Sequence, residues 1–301
     1  MSGNPNGSIP RSPIRVAVIP AAGQGTRMLP ATKAVPKELL PILERPALQI
    51  VVDEAVGAGV DHLVIVTSRS KPAIEHYFAR STEVEDSLEA QGRGALAQQL
   101  RRYGNDITVS FVYQDSPRGL GHAVSCARGV VGDQPFFVML PDELMEDSTL
   151  LLELGGLVAE TGTGAVALKR VPADETSRYG IVTPLGAPVD RDGWETLPMG
   201  HIVEKPAANP PSDLAIIGRY ALTPDIFDDL ESIGVGSSGE IQLTDALSRQ
   251  ADRVPLHGVV SRIGRRDVGN PLGWIEAVVE HGLRHPEIGP HLRTFLRTTL
   301  N

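Results

Sequence analysis

The sequence is poor in cysteine and in long apolar runs. One cysteine, Cys126, occurs among 301 residues, so a disulfide within the chain is impossible and nothing marks an oxidising compartment. No run approaches the roughly 20 apolar residues of a membrane-spanning helix, and residues 1–13 lack the apolar segment of a signal peptide. We therefore expect a cytoplasmic protein without a membrane partner, in which residues 1–13 form a flexible tail and residues 14–301 form a single domain.

Positive charge is also scarce. The chain has 28 lysines and arginines against 37 aspartates and glutamates, which gives a formal net charge of -9. Because nucleic-acid binding rests largely on basic surfaces that neutralise phosphates, no nucleic-acid partner is expected. The apolar share of 41% excludes a disordered chain and is typical of a globular protein with a substantial core.

The first half of the chain alternates between apolar runs and helical patterns. The runs are apolar at successive positions, as in parallel strands that are buried on both faces, and they occupy residues 15–19, 63–67, 108–113 and 135–140. Helical spacing occurs at residues 48–58, 72–80 and 123–130. This alternation predicts a doubly wound parallel sheet. The charged stretch at residues 83–103, interrupted by Gly92 and Gly94, predicts an exposed helical insertion.

The second half has a different character, because its strand patterns are separated by loops more than by helices. They occupy residues 163–170, 180–183, 202–204 and 214–222, and short helices are predicted at 225–230 and 241–249. Such strands are expected to extend the same sheet in antiparallel fashion. The predicted fold class is therefore α/β, with a Rossmann-like, mixed and mostly parallel central sheet flanked by helices, an antiparallel extension and a C-terminal helical segment at about residues 272–301.

The C-terminal segment carries an apolar stripe at helical spacing. Its members are Trp274, Val278, Val279 and Leu283. The simpler interpretation is that the stripe packs on its own domain, and the alternative is a contact between subunits.

The segment between Pro20 and Pro41, directly after the first predicted strand, has the highest density of residues that could bind a ligand. Gly23 and Gly25 allow the backbone to approach a ligand closely, and Arg27 adds a guanidinium suited to phosphate oxygens. A turn-rich surface loop is the simpler interpretation. The segment lacks the P-loop pattern GxxxxGK[ST], and Met28 stands where a dinucleotide loop needs glycine, so a nicotinamide enzyme is disfavoured.

Four further charged residues lie in this loop or at the ends of predicted strands. Lys37 is framed by Pro36 and Glu38, and it is either a solvated charge or a second phosphate contact. Asp142 follows the fourth strand, where it is either a helix N-cap or a hard oxygen ligand of the kind that Mg²⁺ prefers. Glu204 and Lys205 form either a surface ion pair or a site for hydroxyl and phosphate groups.

These residues together resemble the nucleotide-sugar pyrophosphorylases. The signature GxGTRxxPxTKxxPKE of that family is matched at every named position between Gly23 and Glu38. The segments GLGHA at 119–123, LPD at 140–142, VEKP at 203–206, GEIQLTD at 239–245 and DVGN at 267–270 follow in the family's order. The resemblance covers about residues 16–285. The segment ATKAVPKELLP at residues 31–41 favours the bacterial branch that uses UTP and glucose 1-phosphate over the thymidylyl branch.

The resemblance implies roles for particular residues. Arg27, Lys37 and Lys205 would be catalytic, with Lys205 on the sugar phosphate, and Gly180 and Glu204 would also bind that substrate. Asp142 matches a Mg²⁺ ligand, and Asp267 is similar to a second acidic residue that faces the same metal. Nucleotide binding is implied for Ala21, Ala22, Gly23, Gly25, Thr26, Glu38, Gln114 and Gly119. Two departures are Val268, where the family commonly has cysteine, and Ser116–Arg118, which leaves base selectivity open.

The expected reaction is in-line attack of glucose 1-phosphate on UTP, assisted by Mg²⁺, which gives UDP-glucose and pyrophosphate. A thymidylyltransferase that uses dTTP and a catalytically silent sugar-nucleotide-binding homologue are the alternatives. A homo-oligomer, either a dimer or a tetramer, is also expected.

Overall fold

The structure is a computed structural model that describes residues 11–103, 105–236 and 239–300. Its strands are β1 (Val16–Pro20), β2 (Pro41–Ile42), β3 (Arg45–Pro46), β4 (His62–Thr67), β5 (Thr108–Tyr113), β6 (Phe136–Met139), β7 (Glu143–Met145), β8 (Ala165–Arg170), β9 (Gly180–Pro184), β10 (Val189–Arg191), β11 (Trp194–Glu204), β12 (Leu214–Leu222), β13 (Leu256–Val260) and β14 (Arg265–Asp267). Its α-helices are α1 (Ala47–Gly57), α2 (Pro72–Phe78), α3 (Thr82–Ala90), α4 (Gly94–Arg101), α5 (Leu120–Cys126), α6 (Arg128–Val131), α7 (Thr149–Thr161), α8 (Ile226–Ser232), α9 (Leu243–Ala251), α10 (Pro271–Arg284) and α11 (Ile288–Leu300).

One large mixed sheet organises these elements, in the order β10-β11-β13-β8-β12-β6-β1-β4-β5. Strands β6, β1, β4 and β5 pair in parallel, as the apolar runs of the first half predict. In the second half β12 pairs antiparallel with β6 and β8, and β11 pairs antiparallel with β13. Since β9 pairs with both β11 and β12, the extension closes into a ring of β9, β11, β13, β8 and β12. The predicted mixed α/β sheet with flanking helices and an antiparallel extension is confirmed.

The core lies on both faces of this sheet. Along β1, Val16 and Val18 belong to the apolar cluster on one face, and Ala17 and Ile19 belong to the cluster on the other. This two-residue alternation with apolar side chains on both faces is what the continuous run predicts for a covered parallel strand. Helices α1 and α7 contribute to the Ala17 side, and α5, α8 and α9 to the Val16 side. Among the described residues no helix is both long and apolar enough to cross a membrane.

Several boundaries differ from those that the sequence predicts. The strand expected at 202–204 is the end of the longer β11, and the helix expected at 123–130 begins at Leu120 and divides into α5 and α6. Helix α7, β13 and the short strands β7 and β14 carry no separate prediction. The C-terminal segment consists of two helices, α10 and α11, instead of one. Trp274 and Val278 pack against the core, which supports the simpler interpretation of the apolar stripe.

The structure describes residues 11–13, the last part of the segment that the sequence predicts to be a tail. Residues 1–10 lie outside the described residues, as do positions 237–238. Ser12, however, is only 4% exposed, and its backbone N–H donates to the carbonyl oxygen of Ala58 at 2.7 Å. Ser12 is therefore bonded to the residue that follows α1, within the segment that the sequence predicts to be a tail.

Candidate active site

The parallel strands bring their C-terminal ends to one edge of the sheet. The chain proceeds from β1 outward to β4 and β5 and then returns to place β6 on the other side of β1. Open α/β sheets bind ligands at such a point, where the order of the strands reverses. The loop after β1 carries Arg27 and Lys37, and the segment after β6 carries Asp142. The loop with Arg27 and Lys37 and the segment with Asp142 therefore lie on either side of the point where the strand order reverses.

Three adjoining cavities line this edge. The Glu204 cavity, of about 510 Å³, is lined by residues that include Asp142, Gly180, Glu204, Lys205 and Asp267. The Gly25 cavity, of about 570 Å³, is lined by residues that include Gly23, Gly25, Thr26, Gln114 and Gly119. The Lys37 cavity, of about 350 Å³, is lined by residues that include Ala22, Lys33, Lys37, Lys71 and Gln114. Because Arg27 lies on the walls of the first two and Ala22 and Gln114 on the walls of the last two, the three form one cleft.

The turn at Gly25 shapes the loop after β1. Gly25 adopts the left-handed region, with φ of 64°, and is followed by a 3₁₀ turn at Thr26–Met28. Its carbonyl oxygen accepts from the Met28 N–H at 3.0 Å and from the Thr32 hydroxyl at 2.8 Å. Glycine reaches this backbone conformation without a steric penalty. The turn presents Arg27 to the cleft, where its Nη2 lies 3.9 Å from Oδ2 of Asp142.

Lys37 and Asp142 form a close charge pair in the cleft, with Nζ 2.5 Å from Oδ2. Both side chains are largely buried, at 16% and 18% exposure. Burial alone would raise the pKa of Asp142, but the adjacent Lys37 ammonium, assisted by Arg27, outweighs it and holds that pKa below its ordinary value. Asp142 is therefore a carboxylate at neutral pH.

Asp142 and Asp267 converge over Gly269. A Cβ atom on Gly269 would lie 2.6 Å from Oδ2 of Asp142 and 3.1 Å from Oδ1 of Asp267, so only glycine leaves room for both carboxylates. The segments are tied together by the N–H of Val268, which donates to the carbonyl oxygen of Asp142 at 2.8 Å. In the part of the chain that the structure describes, no group of three or more His, Cys, Asp or Glu side chains could hold a metal. Two carboxylates fit Mg²⁺, which takes one or two and completes its shell with water and substrate phosphate.

The far wall of the Glu204 cavity combines an acceptor and a cation. Oε2 of Glu204 accepts from the Thr244 hydroxyl at 3.1 Å, and Oε1 lies 3.0 Å from Nζ of Lys205. A Cβ on Gly180 would approach Oε2 of Glu204 to 3.2 Å, so glycine keeps the carboxylate accessible. Lys205 has φ of 45°, and its N–H donates to the carbonyl oxygen of Tyr179 at 3.0 Å.

The Gly25 cavity is closed by the segment around Gln114 and Gly119. Gln114 is 5% exposed, and its Nε2 lies 3.1 Å from the Gly119 carbonyl oxygen and 2.8 Å from Nδ1 of His122. Burial, and then the charge of Arg118, lower the pKa of His122, which is therefore neutral at pH 7. The amide of Gln114 is thus fixed on one side by the protein, as a residue that discriminates between ligands requires.

Two of the residues predicted to bind nucleotide lie beneath the cleft instead. The Glu38 side chain is fully buried, and both of its oxygens accept from Nζ of Lys71, at 3.1 and 2.9 Å. The Ala21 N–H donates to Val66 at 2.7 Å, and its carbonyl oxygen accepts from Lys71 at 2.8 Å, so its backbone groups are committed to the domain. Glu38 and Ala21 are therefore bonded to the domain under the loop, and their contact with a nucleotide stays a prediction.

Lys71, Thr244 and Arg265 are among the cleft residues that carry no prediction from the sequence. Lys71 joins Glu38 to Ala21 and lines the Lys37 cavity, and its position after the second parallel strand is a signal that could have identified it. Thr244 lies within the GEIQLTD segment, next to Glu204. Arg265 lies on the wall of the Glu204 cavity and donates to Oε2 of Glu143 at 2.5 Å, and its only sequence signal is its place two residues before Asp267.

Replacement of Gly119 by alanine should destabilise the fold and weaken nucleotide binding. The residue has φ of 101°, and its added Cβ would lie 2.6 Å from the carbonyl oxygen of Ile241. Backbone strain of this kind costs about 1–3 kcal/mol. Thermal unfolding and a UTP titration would measure both effects. Gly156→Ala is the matched control, since Gly156 lies in α7 with free space around the added methyl, and should be neutral or stabilising. Equal behaviour of the two variants would contradict the prediction.

A cleft with a cationic glycine-rich loop, a pair of converging carboxylates and a second polar cavity is suited to transfer of a nucleotidyl group between two anionic substrates. Residues 16–281 match the family described as nucleotidyl transferase, and the chain belongs to that family. It is 42% identical, over 96% of its length and 98% of the relative's, to a protein of Bacillus subtilis (strain 168) named UTP–glucose-1-phosphate uridylyltransferase. The predicted resemblance to the bacterial uridylyltransferases is confirmed.

Solved structures agree with this assignment. The UTP-bound UGPase of Acinetobacter baumannii is 37% identical, with a TM-score of 0.84, and the alignment covers 94% of this chain and 98% of that one. A UDP-glucose pyrophosphorylase complexed with UDP-glucose is 36% identical, with a TM-score of 0.80, and the alignment covers 90% of this chain and 100% of that one. This chain therefore shares its fold with both structures over nearly its whole length.

Proposed function

We propose that this enzyme transfers the uridylyl group of UTP to α-D-glucose 1-phosphate, giving UDP-glucose and pyrophosphate. The observation that carries the proposal is the arrangement of one cleft, in which Asp142 and Asp267 lie between a cationic loop and the Glu204–Lys205 wall. The names of relatives that are about 40% identical over nearly the full chain, and the UTP and UDP-glucose bound by two similar structures, support the same substrates.

The loop after β1 receives the triphosphate. Arg27 and Lys37 offer fixed positive charge beside Asp142, so they offset the charge that develops on the departing pyrophosphate. The backbone of Ala22, Gly23 and Gly25, together with Gln114 and Gly119, forms the Gly25 cavity, which we assign to the uridine. Arg27 lies on the walls of both the Gly25 and the Glu204 cavities, and it therefore stands where the two substrates meet.

The Glu204 cavity receives glucose 1-phosphate. Glu204 accepts hydroxyl hydrogens of the sugar, and Lys205 binds its phosphate and directs an oxygen toward the α-phosphorus of UTP. No general base is required, because a sugar phosphate is already ionised at neutral pH. Alignment of two anions and neutralisation of their charge are the main contributions of the protein.

Asp142 and Asp267 would hold Mg²⁺. A bound Mg²⁺ would supply charge stabilisation at the phosphate oxygens of the nucleotide. Asp142 is suited to this because it is ionised and lies beside Lys37 and Arg27, and Asp267 because its Oδ1 is oriented by the N–H of Gly269 at 2.9 Å.

The principal alternative is a transferase that uses dTTP. A second alternative, a catalytically silent homologue, is disfavoured because Arg27, Lys37, Asp142 and Lys205 all line the cleft. A dehydrogenase is disfavoured because the chain belongs to the nucleotidyl transferase family.

A direct comparison of nucleotides tests the proposal. The purified protein with glucose 1-phosphate and Mg²⁺ should release pyrophosphate with a kcat/KM for UTP at least about 10-fold above that for dTTP, which corresponds to about 1.4 kcal/mol. Pyrophosphate release can be followed with a coupled pyrophosphatase, and the sugar nucleotide can be identified by chromatography. A preference for dTTP would overturn the nucleotide and keep the reaction class. Absence of product with either nucleotide would favour the silent homologue.

A cytoplasmic location and a homo-oligomer, either a dimer or a tetramer, belong to the same proposal. Helices α10 and α11 expose large apolar side chains, with Leu272 at 66%, Ile275 at 52% and Phe295 at 63% exposure. Such a surface is suited to burial between copies of the chain. Light scattering of the purified protein would test the homo-oligomer, and a monomer at micromolar concentration would contradict it. Cell fractionation would test the cytoplasmic location.

A further inference from the structure

Arg219 is the largest of the fully buried side chains in the described part of the molecule, at 0% exposure. It lies on β12 and makes five hydrogen bonds, one for each N–H of its guanidinium. Two go to the carboxylate of Glu54, at 2.8 Å from Nε and 2.6 Å from Nη2. The other three go to backbone carbonyl oxygens, namely Leu140 at 3.2 Å, Gly218 at 2.8 Å and Glu143 at 2.7 Å.

Two of these carbonyls bracket Asp142. Leu140 and Glu143 are the residues on either side of the Pro141–Asp142 step, so one planar group holds both ends of the segment that carries the carboxylate. The backbone of Gly218, on the neighbouring strand β12, makes two further hydrogen bonds to the same segment. Its N–H donates to Oε2 of Glu143 at 3.0 Å, and its carbonyl oxygen accepts from the Leu140 N–H at 3.0 Å.

Glu54 fixes the guanidinium from the opposite side. It lies on α1, the helix that follows the Pro20–Pro41 loop, and its side chain is 3% exposed. Its two oxygens hold Arg219 in a bidentate pair, which leaves the guanidinium a single orientation. Because replacement of a buried ion pair by apolar side chains is often neutral or stabilising, stability alone is a weak reason for this pair.

We propose that Arg219 is a positioning residue that sets the geometry of Asp142, with Glu54 holding its guanidinium in place. The inference rests on the proposed function, in which Asp142 is the metal ligand. Arg219 itself lines none of the three cavities, so it acts through the backbone of Leu140 and Glu143. Residues that orient a metal ligand in this way typically change metal affinity or activity by about 10- to 100-fold when they are replaced.

The double variant Arg219→Met/Glu54→Leu tests the proposal. It removes both charges together and fills their volume, so the chain should fold. We expect the dissociation constant for Mg²⁺, measured by calorimetry on the full chain with UTP present, to rise by about 10-fold. The thermal shift given by UTP in EDTA should stay unchanged, because the nucleotide loop is intact. The single variant Arg219→Lys keeps a cation and some of the hydrogen-bond donors, so its dissociation constant for Mg²⁺ should rise less than that of the double variant.

The matched control is Arg253→Met/Asp229→Leu. Asp229 is 2% exposed and is held by Arg253 in a second bidentate pair, at 2.6 and 2.7 Å, and neither residue lines the cleft. This variant should bind Mg²⁺ like the unmodified chain. Unchanged Mg²⁺ affinity in the Arg219 variant, or equal losses in the two double variants, would overturn the inference. Failure of the unmodified protein to form UDP-glucose would overturn the proposed function instead, and the calorimetric comparison would still decide the role of Arg219.

Discussion

Asp142→Asn should lower kcat by about 10²- to 10³-fold, the usual effect of removing one preorganised charge at the reacting centre. The substitution keeps the volume of the side chain and the backbone bond between the Asp142 carbonyl oxygen and Val268, so the fold should persist. It removes the negative charge between Lys37, Arg27 and Asp267, where the metal is proposed to bind. Steady-state kinetics over a range of Mg²⁺ concentrations would measure the loss, and additional Mg²⁺ should restore only part of it.

Circular dichroism and thermal unfolding would separate this effect from a loss of structure. Asp133→Asn is the matched control, since Asp133 is exposed and lies outside the cleft. It changes the net charge by the same amount and should leave kcat unaltered. Near-normal turnover of Asp142→Asn at low Mg²⁺ would refute the metal assignment.

The parallel half of the fold could be predicted from the sequence because its signals are local. The continuous apolar run of β1 is buried on both faces, and β5 occurs with the predicted bounds. The second half depends on pairing between distant segments. The ring that β9 closes between β11 and β12 follows from tertiary contacts, and no short-range pattern specifies it.

The candidate site shows the same division. Arg27, Lys37 and Asp142 could be predicted as site residues because each stands in or next to a segment with a recognisable pattern, and the structure brings the three side chains together. Glu38 belongs to the same signature, yet its side chain is buried against Lys71. A motif gives the residue types at a position and does not say which side chains face the ligand. Arg219 is the extreme case, because its role depends on two carbonyl groups that lie 79 and 76 residues earlier in the chain.

Lys205 occupies a strained backbone position that points to function. A residue other than glycine with φ of 45° pays roughly 1–2 kcal/mol for the left-handed region. The conformation is held by the bond from its N–H to Tyr179, at 3.0 Å, and it brings the side chain to the wall of the Glu204 cavity. Such strain is typical of residues that are held in place for binding or catalysis.

Lys205→Met should therefore reduce kcat/KM for glucose 1-phosphate by about 100-fold, since a hydrogen bond to a charged group contributes about 1.5–3 kcal/mol. Methionine has a similar stem and the same backbone penalty, so the melting temperature should change little. KM for UTP should stay nearly constant, because Lys205 lies on the wall of the Glu204 cavity and not on those of the Gly25 or Lys37 cavities. Lys169→Met, at an exposed position on β8, is the matched control and should have normal kinetics. Equal losses for both substrates would assign Lys205 a structural role instead of a contact with the sugar phosphate.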